Sequence, residues 1–350
     1  MKNDNASRLF TAIVLLAMAL ALLQLFVLLP SDAATIPGAG PPAEESMPAA
    51  ETPAPPAASA EPGPTPEPTP EPTPEPTPEP TPEPVYSGMW GEKFADRFTQ
   101  GEVIQTENSY RSSHVSVTLT RVEENGVIYF VADVYVCDPG YLRSAFAKDK
   151  YEGGFQFIAD MSKNVGAIVA ITGDHYAGRS VGIVLRNGEL YRSTRFRDVC
   201  VLYRDGTMET IDNRDLDLNA LCEADPWQVW SFGPGLLDEN GHAKVSFNTD
   251  VYPRNPRAAI GYVEPGHYYL VEVEGARAVA SSGSRGMDMR ELAELFESLG
   301  CVSAYNLDGG HSAAITWMGE LVSTDYRRSL PDIIYVTDTL PEGEDWNDSP

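Results

Sequence analysis

Five consecutive Thr-Pro-Glu-Pro units occupy residues 65–84 and set the limits for everything else in the chain. Proline at every second position fixes φ and removes backbone donors, so neither a helix nor a sheet can form there. Such a segment is an extended polyproline-like chain, and twenty residues at ~3.1 Å each reach roughly 60 Å. The flanking stretch from residue 30 is also rich in Pro and Ala, and residues 44–84 carry nine Glu with no Lys or Arg. Repulsion between those carboxylates stiffens the spacer further. A packed domain must therefore begin near Val85, leaving roughly 255 residues, enough for one well-buried core.

Before the spacer, residues 9–29 form an uncharged apolar run preceded by Lys2 and Arg8. Twenty-one helical residues at ~1.5 Å rise span ~30 Å, the thickness of a bilayer's hydrocarbon layer. The basic flank predicts a cytoplasmic N-terminus and an extracytoplasmic domain, hence a single-pass cell-membrane protein. The length favours an uncleaved signal anchor over a cleaved signal, although Ser31-Asp32-Ala33-Ala34 offers a small-residue cleavage site. The predicted organisation is thus 1–8 cytoplasmic, 9–29 transmembrane, 30–84 linker, 85–338 globular with its motif-rich part at 165–338, and 339–350 an acidic tail.

The net charge of −26 disfavours nucleic acid and anionic lipid surfaces as partners through bulk electrostatics. An anionic substrate would need its own local arginines. Cys137, Cys200, Cys222 and Cys301 show no CxxC spacing, so a zinc site is not indicated. Outside the cell they allow one or two disulfides, and equally allow buried unpaired thiols.

From Trp90 onward the pattern becomes globular. His114 to Thr120 alternates as a half-buried strand, and Val127 to Val136 reads as its partner across Glu124-Asn125-Gly126. Arg186-Asn187-Gly188-Glu189 and Arg204-Asp205-Gly206-Thr207 read as two further hairpin turns. Phe155 to Lys163 fits a helix, Val165 to Ile171 a buried strand, and Ala258 to Tyr262, His267 to Val273 and Asp332 to Val336 further strands. The clearest helix is 288–299, where Asp288 and Glu291 form a capping box and Met289, Leu292, Ala293, Phe296 and Leu299 make an apolar stripe. That stripe is core. These elements predict an α+β fold, a mixed, largely antiparallel sheet core with a few packed helices in a single domain.

The stretch Asn306-Leu307-Asp308-Gly309-Gly310-His311-Ser312 follows the apolar run Cys301 to Tyr305 and ends in a turn. An amide, a carboxylate, an imidazole and a hydroxyl therefore gather at one strand exit. The glycine pair lets a ligand approach the backbone closely. On turn rules alone, the same residues could simply close a hairpin. A second strand exit, Thr172-Gly173-Asp174-His175, carries a comparable set.

Several motifs in order then resemble the phosphodiester glycosidase family. They are Ala170 to Tyr176, Asn255-Pro256-Arg257-Ala258-Ala259-Ile260-Gly261, Gly286 to Ala293, Asn306 to Ser312, and the late Arg328. The likeness covers most of Val85 to Thr337. It departs at Thr172, where the family usually has Asn, and at His311, which replaces a third Gly. Ala258 also stands where the family has Thr.

What the resemblance implies is cleavage of a sugar from a phosphate through an oxocarbenium-like transition state. On that reading Asp308 is the leading general base or nucleophile and Asp174 its partner. Arg257 and Arg328 neutralise the phosphate bidentately. Asn306 and Ser312 bond sugar hydroxyls, while Thr172, Gly173, His175, Gly309, Gly310 and His311 complete the binding surface. Asp174 and Asp308 are also natural turn formers. No cofactor is expected; a divalent cation such as Ca2+ is conceivable there, but no dense Asp/Glu loop supports one. The expected partner is a glycan phosphodiester of the cell surface or an exopolysaccharide. A non-catalytic carbohydrate-binding or envelope protein on the same scaffold is the competing expectation.

Overall fold

The computed structural model describes residues 86–275, 282–324, 328–341 and 344. The anchor and spacer expected at 9–29 and 30–84, and most of the acidic tail, lie outside the described residues. Among the described residues, no helix is long and apolar enough to cross a membrane.

Three antiparallel sheets enclose the core. The first has seven strands in the order β1-β2-β3-β4-β13-β12-β14. These are β1 (Ile104–Gln105), β2 (Ser109–Arg111), β3 (Val115–Glu124), β4 (Val127–Val136), β12 (Arg257–Glu264), β13 (His267–Val273) and β14 (Ser303–Asn306). The second sheet runs β10 (Met208–Ile211), β9 (Val199–Tyr203), β11 (Pro226–Trp230), β7 (Gly182–Arg186), β8 (Glu189–Thr194). The third runs β16 (Glu320–Leu321), β15 (Ile315–Trp317), β6 (Val169–Thr172), β17 (Asp332–Val336), β5 (Leu142–Phe146).

Every strand pairing described is antiparallel. The expected largely antiparallel core is thus found, with every pairing among the described residues antiparallel rather than a minority parallel. The physical reason lies in the connections. Tight turns such as Asn125-Gly126 and Asn187-Gly188, with both residues at positive φ, can only return the chain beside itself.

Helices cover the outer faces. Helix α1 (Ile158–Asn164) buries Ile158 and Met161 against Ala170, Ile333 and Tyr335 of the third sheet. It starts later than the periodicity suggested, because Gln156 instead pairs its backbone with Leu330 in an isolated bridge. Helix α2 (Leu218–Glu223) adds Leu221 to Val201 and Val229 of the second sheet. Helix α3 (Met289–Ser298) begins with the predicted capping box and packs Leu292, Ala293 and Phe296 on Ala259, Val271 and Ala304. Each large apolar side chain so buried contributes about 1.5–3 kcal/mol.

Strand β12 is consequently buried on both faces, with α3 outside and the central core inside. That core joins all three sheets, through Val134, Ile260 and Tyr305 of the first, Trp230 and Leu202 of the second, and Ile171 and Ile334 of the third. All four cysteines are free, and Cys137, Cys200 and Cys301 are buried, so packing rather than crosslinking occupies them.

Candidate active site

Three strand termini converge on one cleft. β6 runs into Gly173-Asp174-His175, β14 into Leu307 to Ser312, and β12 opens with Arg257. Backbone bonds fix the loops side by side. Asp308 N donates to Gly173 O at 3.1 Å, Leu307 N to Ala258 O at 2.8 Å, and Gly310 N to Pro256 O at 2.9 Å. Both glycines are required here. A Cβ on Gly309 would fall 2.6 Å from the Pro256 carbonyl oxygen, and Gly310 sits at φ +62 where the loop tightens into a short 3-10 turn. Thr172 has a structural task. Its hydroxyl donates to Ser312 O at 2.5 Å and accepts from Ala314 N at 3.1 Å, clipping β6 to the glycine loop.

The cleft holds ≈ 350 Å³ and is lined by Phe232, Arg257, Asp308, His311 and Arg328 around the two glycines. Arg257 is 2 % exposed, and three carbonyls aim its guanidinium. Nε donates to Met287 O at 3.0 Å, and Nη2 to Tyr252 O at 3.3 Å and to Pro253 O at 2.5 Å. Arg328 Nη2 lies 3.8 Å from Asp308 Oδ2 and 2.9 Å from His175 Nε2. His175, held at φ 56, places Nδ1 3.6 Å from the same Asp308 oxygen. Phe155, 45 % exposed, has its ring 6.2 Å from that of His175.

Asp308 Oδ2 is buried and accepts no hydrogen bond among the described residues. Burial pushes its carboxyl above the usual carboxylate range, with the charges of His175 and Arg328 working in the opposite direction. Burial likewise pushes the His175 imidazole down, against the opposing pull of the Asp308 charge. A carboxylate made more basic beside an imidazole made more acidic is suited to proton transfer.

The remaining sequence candidates lie beneath the cleft surface. Asn306 is 1 % exposed and its amide donates to Gly233 O at 2.9 Å. Ser312 is fully buried, and Gly173 N donates to Asp332 O at 3.1 Å. Asp174, 2 % exposed, accepts from Tyr176 N at 3.0 Å and Ser231 N at 2.9 Å, and pairs with Arg186 Nη2 at 2.9 Å. Its carboxylate thus organises the His175 loop from below, while Asp308 stands on the wall.

Arg186 and Asp332 were not legible as site residues. Arg186 Nη2 also bonds Asp332 Oδ2 at 2.8 Å, so one fully enclosed guanidinium serves two carboxylates. The available signal was charge within apolar strands. Arg186 ends the buried run Gly182–Arg186 and Asp332 opens the buried run Asp332–Val336. Burial, together with the Asp174 charge, pushes Asp332 up to about 7 despite Arg186.

A carboxyl whose folded pKa is raised binds more protons in the folded than in the unfolded chain. The stability it provides is present below the ordinary carboxylate pKa and is lost as pH rises toward about 7. Asp332→Asn, which mimics the protonated group, should therefore gain on the native protein by on the order of a few kcal/mol between pH 4 and pH 8. Urea denaturation of both proteins across that range measures the difference; a pH-independent gap would contradict it. Among the described residues, no group of three or more His, Cys, Asp or Glu is placed to hold a metal ion.

Asp308 thus follows β14, Arg257 opens β12 and Arg328 precedes β17, so the cleft gathers at strand ends. Residues 165–337 match the phosphodiester glycosidase family model, 173 of the chain's 350 residues. Among particular relatives, a SPbeta prophage-derived uncharacterized protein of Bacillus subtilis, YomE, is 29% identical over 192 residues. That match covers 51% of this chain and only 29% of the relative. The zebrafish N-acetylglucosamine-1-phosphodiester alpha-N-acetylglucosaminidase catalytic domain, auto-inhibited by its pro-peptide, superposes with a TM-score of 0.50 at 19% identity. The superposition covers 64% of this chain and 83% of that one. A hypothetical protein from Synechocystis gives 0.50 at 15% identity, covering 64% and 62%. At these identities the structural likenesses show a shared fold.

Proposed function

We propose that this protein hydrolyses a sugar 1-phosphodiester, with Asp308 as the general base and Arg257 and Arg328 as the phosphate clamp. The observation that carries the reading is the unbonded, buried Asp308 oxygen facing a cleft walled by two guanidinium groups. Asp308 takes a proton from water as the water oxygen bonds to the anomeric carbon. The anomeric C–O bond breaks, and its electron pair leaves on the phosphate. That leaving group needs charge neutralisation more than protonation, which Arg257 and Arg328 supply. Among the described residues that line the cleft, Asp308 is the one carboxylate. A single displacement with inversion at the anomeric carbon follows, because retention commonly uses a second carboxyl group about 5–5.5 Å away. The apolar face of the sugar fits the exposed Phe155 ring beside His175.

The domain would act outside the cell on a surface glycan or exopolysaccharide, tethered by residues 9–29 and lifted by the spacer at 30–84. The apolar length of the first segment and the proline repeat of the second support that placement.

Arg257→Ala should lower kcat/KM for a sugar 1-phosphodiester about 10²–10³-fold, with Arg257→Lys recovering part of it as a point charge without the fork. Steady-state release of free sugar, with proton NMR of the anomeric product, tests both the clamp and the inversion. Binding of the phosphodiester without any sugar release by the native protein would favour a carbohydrate-binding role instead. Native turnover by Arg257→Ala would remove the clamp assignment.

A further inference from the structure

Two arginines outside the clamp share one aromatic platform at the edge of the same cleft. Arg179 follows the short turn after His175, and its guanidinium centre lies 4.9 Å from the Phe196 ring and 4.9 Å from the Phe232 ring. Arg197 approaches the same Phe196 ring at 5.0 Å. Phe232 is itself a wall of the cleft. The platform and the Asp308 site are therefore continuous through one phenyl ring.

The local charges are out of balance. Arg197 Nη2 pairs with the exposed Asp250 at 2.8 Å, yet its Nη1 is buried and donates no hydrogen bond among the described residues. Arg179 makes no ion pair among the described residues; Asp174 and Asp308 act on it only from a distance. Burial and the neighbouring Arg197 charge both press Arg179 below its usual range, as expected for like charges crowded together. A protein with net charge −26 has acids to spare for such a place. Keeping two guanidinium groups together with Asp250 as the one carboxylate in contact among the described residues makes physical sense where an external anion completes the set. The stacking on Phe196 and Phe232 holds the guanidinium planes, leaving their N–H edges for a phosphate.

We infer that Arg179 and Arg197 form a second anion subsite, taking the neighbouring phosphate of a substrate whose sugar repeats are joined by successive phosphodiesters. This rests on the reading of the main cleft as a sugar-phosphodiester site and extends it to a substrate class. The substrate is a polymer or oligomer with at least two phosphates, bound across Asp308 with one phosphate on Arg257 and the next on Arg179.

Isothermal titration of the full chain carrying Asp308→Asn, which holds substrate without turnover, separates the two ideas. One probe is a methyl-capped sugar 1-phosphodiester with a single phosphate. The other is the corresponding two-repeat compound with two. The two-phosphate probe should bind about tenfold more tightly, and the advantage should shrink as salt is raised. Adding Arg179→Gln should remove the advantage while leaving the single-phosphate affinity within about twofold. Adding Arg179→Lys should recover part of it. If Arg179→Gln leaves the two-phosphate affinity unchanged, the second subsite is wrong and the main cleft stands. If neither probe binds, both readings fall together.

Discussion

Asp308→Asn lowers turnover of a sugar 1-phosphodiester by about 10³-fold or more, a barrier increase of roughly 4 kcal/mol, while the protein stays folded. The two halves of this expectation have one cause. The Asp308 carboxylate is buried, its Oδ2 accepts no hydrogen bond among the described residues, and the His175 imidazole and the Arg328 cation stand off at 3.6 and 3.8 Å. A charge held in that way costs desolvation energy that incomplete pairing does not offset. An amide of the same shape carries no charge, so thermal stability should hold or rise while proton transfer is lost. The pH profile gives a further readout. Activity should fall with decreasing pH through a pKa above the ordinary carboxylate range, because burial raises that of Asp308. Kinetics with differential scanning calorimetry on the two proteins checks both halves. A variant that keeps native turnover would remove Asp308 from the chemistry. One that fails to fold would show its role to be structural.

The positions of Asp308 and Arg257 were legible because the chain marks both with local rules. Asp308 leaves an apolar run and meets a glycine pair, and Arg257 starts a strand behind Asn255-Pro256. The capping box on α3 and the hairpin between β3 and β4 were legible for the same reason, since each depends on residues adjacent in sequence. Asp174 shows where such rules stop. It sits at a strand exit like Asp308, yet its neighbour across the fold is Arg186, and it faces inward. Nothing within a few residues of either acid says which one faces the cleft. That is decided by β17 pairing beside β6 and by Arg186 at the end of β7 reaching the acids of both, an arrangement set by long-range pairing. The platform of Arg179 on Phe232 was hidden for the same reason, with its parts lying on separate loops. The sheet pairing differs in a smaller way. Apolar runs that suit buried parallel strands also suit antiparallel strands covered on both faces, which is how β12 is placed.

Arg186→Met should destabilise the fold by about 3–5 kcal/mol, the larger of the stability effects expected here. One side chain supplies the bonds to Asp174 at 2.9 Å and to Asp332 at 2.8 Å, and it also donates to the carbonyls of Leu185 and Val229. Methionine fills much of the volume and leaves two carboxylates enclosed together with no cation. At least one must then take up a proton or remain charged without a partner. The loss should therefore deepen as pH rises, and Asp332→Asn in the same chain should restore part of it by removing one of the two acids. Damage should also reach the active site without touching substrate. Asp174 holds Tyr176 N and Ser231 N, and Gly173, bonded through its carbonyl to Asp308 N, is packed directly on the Asp332 carboxylate. Released from that base, the loops carrying His175 and Asp308 lose their fixed spacing. The folded fraction of Arg186→Met should then turn over more slowly, whereas Asp332→Asn, with Arg186 still paired to Asp174, should stay near the native rate. Urea denaturation at pH 5 and pH 8, combined with kinetics at a denaturant-free concentration, separates the two effects. A loss below about 1 kcal/mol, or a double variant no more stable than Arg186→Met alone, would mean that the buried cation is not what holds the two loops in place.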